Sequence, residues 1–177
     1  MTSAAGTGDG AAPARRIAIF VDEAQVGEPA PGFTLPDLEG RQVSLADFAG
    51  KGHVLVYFYP KDDTPGCTRE ACEFRDTQAP IRKAGALVFG VSGDSLESHG
   101  KFKTKYKLNF PLLSDPDHAV HEAYGVWQEK KFMGRRYMGT HRITFLIGPD
   151  GVGKRAAAVA LAQLLNCPER LELASPG

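Results

Sequence analysis

His53–Tyr59, HVLVYFY, leaves the chain little choice of architecture. The run is β-branched and aromatic, with almost no polar interruption. A strand that faces water on one side alternates apolar with polar residues, so a run this continuous reads as a strand buried on both faces of a helix-covered sheet. Ala86–Ser92 (ALVFGVS) and His141–Ile147 (HRITFLI) have the same character. Between these runs the pattern changes. Cys67 to about Ala79 is helical, and Ser95–Tyr106 is a polar, amphipathic helix with Asp94 as its expected N-cap. Pro111–Ser114 reads as a short strand and Ala119–Tyr124 as a short helix. Strands alternating with helices predict an α/β domain with a central mixed or parallel sheet.

The chain is 177 residues long, enough for one domain with a proper core. Residues 1–22 carry little to bury and are expected to be a disordered extension. Residues 23–151 are the expected domain, and 152–177 an atypical C-terminal segment, helical and then disordered. Pro and Gly bracket short apolar runs from Gly27 onward, which predicts a strand pair turning at Glu39–Gly40. Lys plus Arg and Asp plus Glu are both 21, so the formal net charge is zero. That balance argues against a dedicated nucleic-acid or anionic-membrane surface. No apolar run approaches the roughly 20 residues of a membrane span. The N-terminal apolar stretch Ile17–Val21 is too short for a signal-peptide core, so a cytoplasmic location is expected.

The cysteines are Cys67, Cys72 and Cys167, and three cannot form a framework of paired disulfides. Cys67 stands out by its setting. A buried strand ends, the loop Pro60-Lys-Asp-Asp-Thr64-Pro-Gly follows, and Cys67 falls in the first turn of a helix. Free N–H groups and a partial positive charge at that end favour a thiolate over a thiol. Ionisation alone gains too little for fast attack on an electrophile; the site must also hold that substrate and take up charge on the leaving atom. Thr64, three residues before Cys67, carries a hydroxyl able to accept from and donate to a bound substrate. Pro60 is expected to close the pocket from the strand end, and Arg142 is the candidate cation. Cys72 follows Cys67 by five residues. In an intact α-helix that spacing puts their Cα atoms about 8.6 Å apart, beyond the roughly 7 Å limit for a disulfide. If the two bond, the first turns must unwind.

Pro60-x-x-x-Thr64-x-x-Cys67 is similar to the active-site signature of the peroxiredoxins, and TPGCTREACEFRD resembles their peroxiredoxin Q, or bacterioferritin comigratory protein, subfamily. The resemblance runs from about Gly27 to Gly151, through FTLPDLEGRQVSL, YFYPKDDTPGCTREACEFRD, GVSGDS, FPLLSDPDHAVHEAYGVW and RITFLIGPDG. It implies a thioredoxin-like fold, a central mixed β-sheet flanked by helices. It also implies a thiol peroxidase acting on hydrogen peroxide and organic hydroperoxides. Cys67 is then the peroxidatic and Cys72 the resolving cysteine, with Pro60, Thr64 and Arg142 completing the pocket. Cys67 passes through a sulfenic acid to an intramolecular disulfide, which thioredoxin or a similar dithiol reduces. No cofactor or metal is implied, and a monomer is expected.

Other readings carry less weight. Glu70 either orients the loop or Arg142, or is a solvated first-turn carboxylate; the two stand level. His118 and His121, near Asp115 and Asp117, have a metal-like spacing but match a structural turn and helix of the family. Cys167 reads as a free thiol, and Trp127 as packing against the sheet edge. A redox sensor using the same two cysteines is the alternative to a peroxidase. A thioredoxin-type reductase is disfavoured, because four residues rather than two separate the cysteines. Beyond Gly151 the family pattern breaks. Residues 148–167 resemble the phosphate loop of a DNA polymerase III delta-prime subunit, with Gly148-x-x-x-x-Gly153-Lys154 and an expected helix Arg155–Leu165. Arg155 stands where a Mg²⁺-binding Ser or Thr belongs, so nucleotide binding is disfavoured.

Overall fold

The computed structural model describes residues 29–151 and the backbone of 153–156. The expectations for residues 1–22, for Cys167 and for the segment after Ala156 lie outside the described residues. A hairpin of β1 (Thr34–Pro36) and β2 (Gln42–Ser44) comes first, turning where Gly40 takes a φ of 74°. The core elements follow: β3 (His53–Phe58), α1 (Pro65–Asp76), α2 (Gln78–Lys83), β4 (Ala86–Ser92), α3 (Leu96–Tyr106), β5 (Leu112–Ser114) and α4 (Ala119–Ala123). A second hairpin, β6 (Trp127–Phe132) and β7 (Arg135–Thr140), leads into β8 (Ile143–Ile147) and β9 (Gly153–Ala156).

The central sheet has the order β5-β4-β3-β8-β9. It is mixed: β3 is parallel to β4 and antiparallel to β8. β3 shows why its sequence is apolar throughout. Successive side chains of a strand point to opposite faces. Val54, Val56 and Phe58 therefore join one core with Phe89, Val91, Tyr124, Phe145 and Ile147. Leu55, Tyr57 and Tyr59 join the other, with Ala71, Phe74, Phe102, Leu112 and Cys67. Each large side chain so buried stabilises the fold by about 1.5–3 kcal/mol. Among the described residues no helix is long and apolar enough to cross a membrane.

The helical stretch expected from Cys67 to about Ala79 is two helices that break at Thr77. Pro80 explains the break. It lacks an N–H and would clash in a helix interior, but a new helix starting at Gln78 puts it in the first turn, where no donor is required. The N-cap of α3 is Ser95 rather than Asp94: its hydroxyl accepts the Ser98 N–H at 3.2 Å. Asp94 turns back instead, accepting from the Asp62 N–H at 2.8 Å and the Ser92 hydroxyl at 2.7 Å. Trp127 stacks on His118, with ring centroids 3.8 Å apart.

Residues 148–156 do not take the form a phosphate loop needs. The Gly151 N–H donates to the Gly148 carbonyl at 2.9 Å, closing a tight turn, and the chain returns as β9 antiparallel to β8. Arg155 and Ala156, expected to begin a helix, are in that strand. A strand–turn–strand has no helix N-terminus with which to cradle a phosphate.

Candidate active site

Register brings the site together. Phe58, the last residue of β3, pairs with Ile143, the first of β8. Arg142 is thereby level with the end of β3, where the chain leaves the sheet and turns into α1. Thr64 is the N-cap of α1 in extended conformation and Pro65 occupies the first helical position, so Cys67 is the third residue of the helix. The sulfur is buried against the second core, and Arg142 Nη2 lies 3.2 Å from Cys67 Sγ.

Glu70 follows Cys67 by three residues, a spacing that puts two side chains on the same helix face. One guanidinium reaches both: Arg142 Nη1 donates to Glu70 Oε2 while Nη2 faces the sulfur. Glu70 is therefore a buried partner of Arg142, which decides between its two sequence readings. Burial pushes its carboxyl above the ordinary 4.5, and the hydrogen bond and charge of Arg142 pull it part of the way back. Burial works against the charge of Arg142 too, but its bonds to Cys67 and Glu70 outweigh that and raise it above the ordinary arginine value. Beneath the sulfur, Tyr57 stacks on Tyr59 and Phe74, at 5.3 and 4.6 Å between centroids. Burial, then the charges of Glu70 and Cys67, push the Tyr57 phenol far up, so it stays neutral.

Gly66 leaves room for the close approach of Arg142. A Cβ at this position would stand 3.1 Å from Arg142 Nη2. The Thr64 hydroxyl donates to the Lys61 carbonyl at 3.0 Å, which commits its proton and leaves the oxygen free to accept. Pro60 is exposed just beyond β3. Cys72 is a half-buried free thiol further along the same unbroken helix.

The loop between β3 and α1 is fastened to α3. Asp62 Oδ1 accepts from Tyr59 at 2.6 Å, and Oδ2 lies 2.7 Å from the Ser98 hydroxyl and 2.8 Å from His99 Nδ1. His99 Nε2 in turn faces the Leu113 carbonyl at 3.1 Å. Asp63 takes a left-handed φ of 56° and is bound by Lys105 at 2.7 Å. Sequence reasoning missed Asp62, His99 and Gly66 as parts of the site. The signal available was the pair of aspartates just before the cysteine, unexplained by any surface role. His121, by contrast, is bonded to Asp115 at 2.6 Å within the core.

A helix N-terminus, a guanidinium and a buried sulfur form a place where a thiolate can attack and an oxyanion can be received. Comparison with known proteins points the same way. The AhpC/TSA family model matches residues 26–154. Peroxiredoxin Bcp of Escherichia coli is 55% identical over 127 residues, covering 72% of this chain and 81% of the relative. Peroxiredoxin Bcp of Bacillus subtilis is 49% identical over 127 residues, covering 72% and 80%. A structure of the Xanthomonas campestris bacterioferritin comigratory protein, solved in a study of its alkyl peroxide reduction activity, superposes with a TM-score of 0.69. It is 38% identical and covers 75% of this chain and 89% of that one. Peroxidoxin BcpB of Mycobacterium tuberculosis superposes with a TM-score of 0.70 at 30% identity, covering 85% and 99%.

Proposed function

This chain belongs to the AhpC/TSA family and, within it, to the Bcp and peroxiredoxin Q group, and on that premise we propose that Cys67 is the sulfur that attacks the peroxide and Cys72 the thiol that resolves it. The protein is a thiol-dependent peroxidase of thioredoxin-like fold, consuming a peroxide and a thiol reductant. The observation that carries the assignment of roles is the 3.2 Å approach of Arg142 Nη2 to Cys67 Sγ at the start of α1.

The Cys67 thiolate attacks the terminal oxygen of a hydroperoxide, and the O–O bond breaks. Sulfur is oxidised to the sulfenic acid while the other oxygen leaves as alkoxide or hydroxide and is protonated to alcohol or water. The Thr64 oxygen accepts the peroxide O–H, and Arg142 stabilises first the thiolate and then the departing charge. Pro60 borders the mouth of the pocket. Cys72 then displaces water from the sulfenic acid, forming a disulfide that two electrons and two protons from an external dithiol reduce. Thioredoxin fits that role, and the whole cycle suits a monomer working in the reducing cytoplasm. The spacing of the two thiols in one intact helix requires the first turns of α1 to open before the disulfide forms.

The test is to add one equivalent of peroxide and map disulfides by mass spectrometry. A Cys67–Cys72 bond is expected, with Cys67→Ser abolishing peroxide consumption and Cys72→Ser leaving a sulfenic acid that dimedone traps. Peroxide consumption undiminished in Cys67→Ser refutes the assignment.

A further inference from the structure

Lys130 is set apart from its neighbours on the hairpin. It lies on β6, opposite Tyr137 of β7, and is half-buried although its hairpin is otherwise largely exposed. Its side chain does not extend into solvent. It runs back across the hairpin and donates from Nζ to the carbonyl of Thr140, two residues before Arg142. Gly139 clears the path: a Cβ there would stand 3.1 Å from Lys130 Cδ and 3.5 Å from Cε. Glu129, the acidic neighbour on the strand, pairs with Arg136 at 3.1 Å.

The hydrogen bond of Lys130 thus goes to a neutral carbonyl, while its charge sits near a second cation. Burial and the repulsion of Arg142 pull its ammonium below the ordinary lysine value, and the Cys67 sulfur acts in the opposite sense. A surface lysine relieves such repulsion by swinging into water, at almost no cost for a flexible four-carbon stem. This one is held in place by a carbonyl and a bare glycine. The groups whose charge acts on it are Arg142, from the β7–β8 connection, and Cys67, from α1; Glu70 is engaged by Arg142.

We infer that Lys130 is a second cation of the peroxide pocket, a positioning residue delivered by the β6–β7 hairpin that acts with Arg142 to hold Cys67 as a thiolate. The inference rests on the peroxidase roles given above for Cys67 and Arg142. With Glu70 set against Arg142, Lys130 is the positive charge left to balance a thiolate at Cys67. This role also makes the hairpin part of the catalytic apparatus, since any displacement of β6 against β7 moves a charge relative to the sulfur.

The test is iodoacetamide alkylation of the reduced protein across pH 5–10, followed by trypsin. Cleavage after Lys61, Arg69 and Arg75 puts Cys67 and Cys72 in separate peptides, so each rate is read by itself. Lys130→Met should lower the Cys67 rate at pH 6 by about 3–10-fold, the effect of one partly screened charge. Lys130→Gln, which keeps a donor for Thr140 without the charge, should behave as Lys130→Met does, and Lys130→Arg should restore the rate. Lys131→Met, the same change of net charge on the exposed neighbour, should leave it unaltered. A Cys67 rate at pH 6 that is unchanged in Lys130→Met and Lys130→Gln overturns the inference, and so does an equal fall in Lys131→Met. Because no peroxide is used, this failure is distinct from failure of the peroxidase reading, which shows instead as peroxide consumption surviving Cys67→Ser.

Discussion

Replacing Gly66 by alanine should separate the stability of α1 from the reactivity of its sulfur. Gly66 is the second residue of the helix and does not take a left-handed φ, so alanine fits its backbone. By conformational freedom alone the change stabilises a helix by up to about 0.5–1 kcal/mol. Reactivity should move the other way. The new Cβ stands 3.1 Å from Arg142 Nη2 and 3.8 Å from Cζ, so the guanidinium must retreat by a few tenths of an ångström. Its bond to Cys67 Sγ is already 3.2 Å. Lengthening a charge-assisted bond worth about 1.5–3 kcal/mol should forfeit roughly 1 kcal/mol of it, or about a 5-fold lower rate. Gly66→Val, which adds two further carbons, should exceed that loss. The assays are thermal denaturation of the reduced protein and the initial rate of peroxide consumption with excess dithiol. The expected pattern is a Tm equal to or up to about 4 °C above the parent, with a rate falling in the order Gly, Ala, Val. If the alanine and valine variants react as fast as the parent, the proximity of Arg142 to the sulfur does not govern the chemistry and the electrostatic account of the site is wrong.

Two other substitutions probe the supports of the site. Glu70 carries a carboxyl raised above 4.5 chiefly by burial, so between that value and its raised one the folded protein binds more protons than the unfolded chain. Its contribution to stability is therefore fully present below 4.5 and declines as pH rises through the window, by at most about 1.4 kcal/mol per pH unit. Glu70→Gln lacks this slope, and melting both proteins from pH 4 to pH 8 checks it; parallel Tm curves contradict the assigned burial. Asp62→Ala strips acceptors from the buried Tyr59 and His99 and the half-buried Ser98 side chains and should cost about 2–4 kcal/mol by urea unfolding, with a matching loss of peroxidase rate from a loosened loop.

Strands β3, β4 and β8 were legible because their sequences are apolar almost without interruption. Ala86–Ser92 forms β4 with the expected bounds, and His53–Tyr59 overshoots β3 by one residue. The place of Cys67 in the first turn of α1 was legible because the strand, the proline–glycine loop and the helix follow one another in the sequence. The β6–β7 hairpin was not anticipated, and the reason is physical. WQEKKF and RRYMGT are mostly exposed and show no alternation of apolar with polar residues. Their turn has positive φ at both Met133 (47°) and Gly134 (78°), yet methionine is a poor advertisement for a left-handed residue. Arg142 could be proposed from sequence, but its second bond could not. Nothing in CTRE says whether the glutamate faces water or an arginine 72 residues away. The fastening of the catalytic loop to α3 was equally hidden, since it depends on His99 and Asp62, 37 residues apart, meeting inside the core.

The continuity of α1 from Pro65 to Asp76 sets a clock on the proposed cycle. While the helix is whole, Cys72 stays out of bonding range of an oxidised Cys67, and the wait for that thiol is the wait for the first turns to fray. A second peroxide arriving within that interval competes with Cys72 for the same sulfur. How firmly a few backbone bonds close therefore fixes the peroxide concentration at which the protein passes from turnover to self-inactivation.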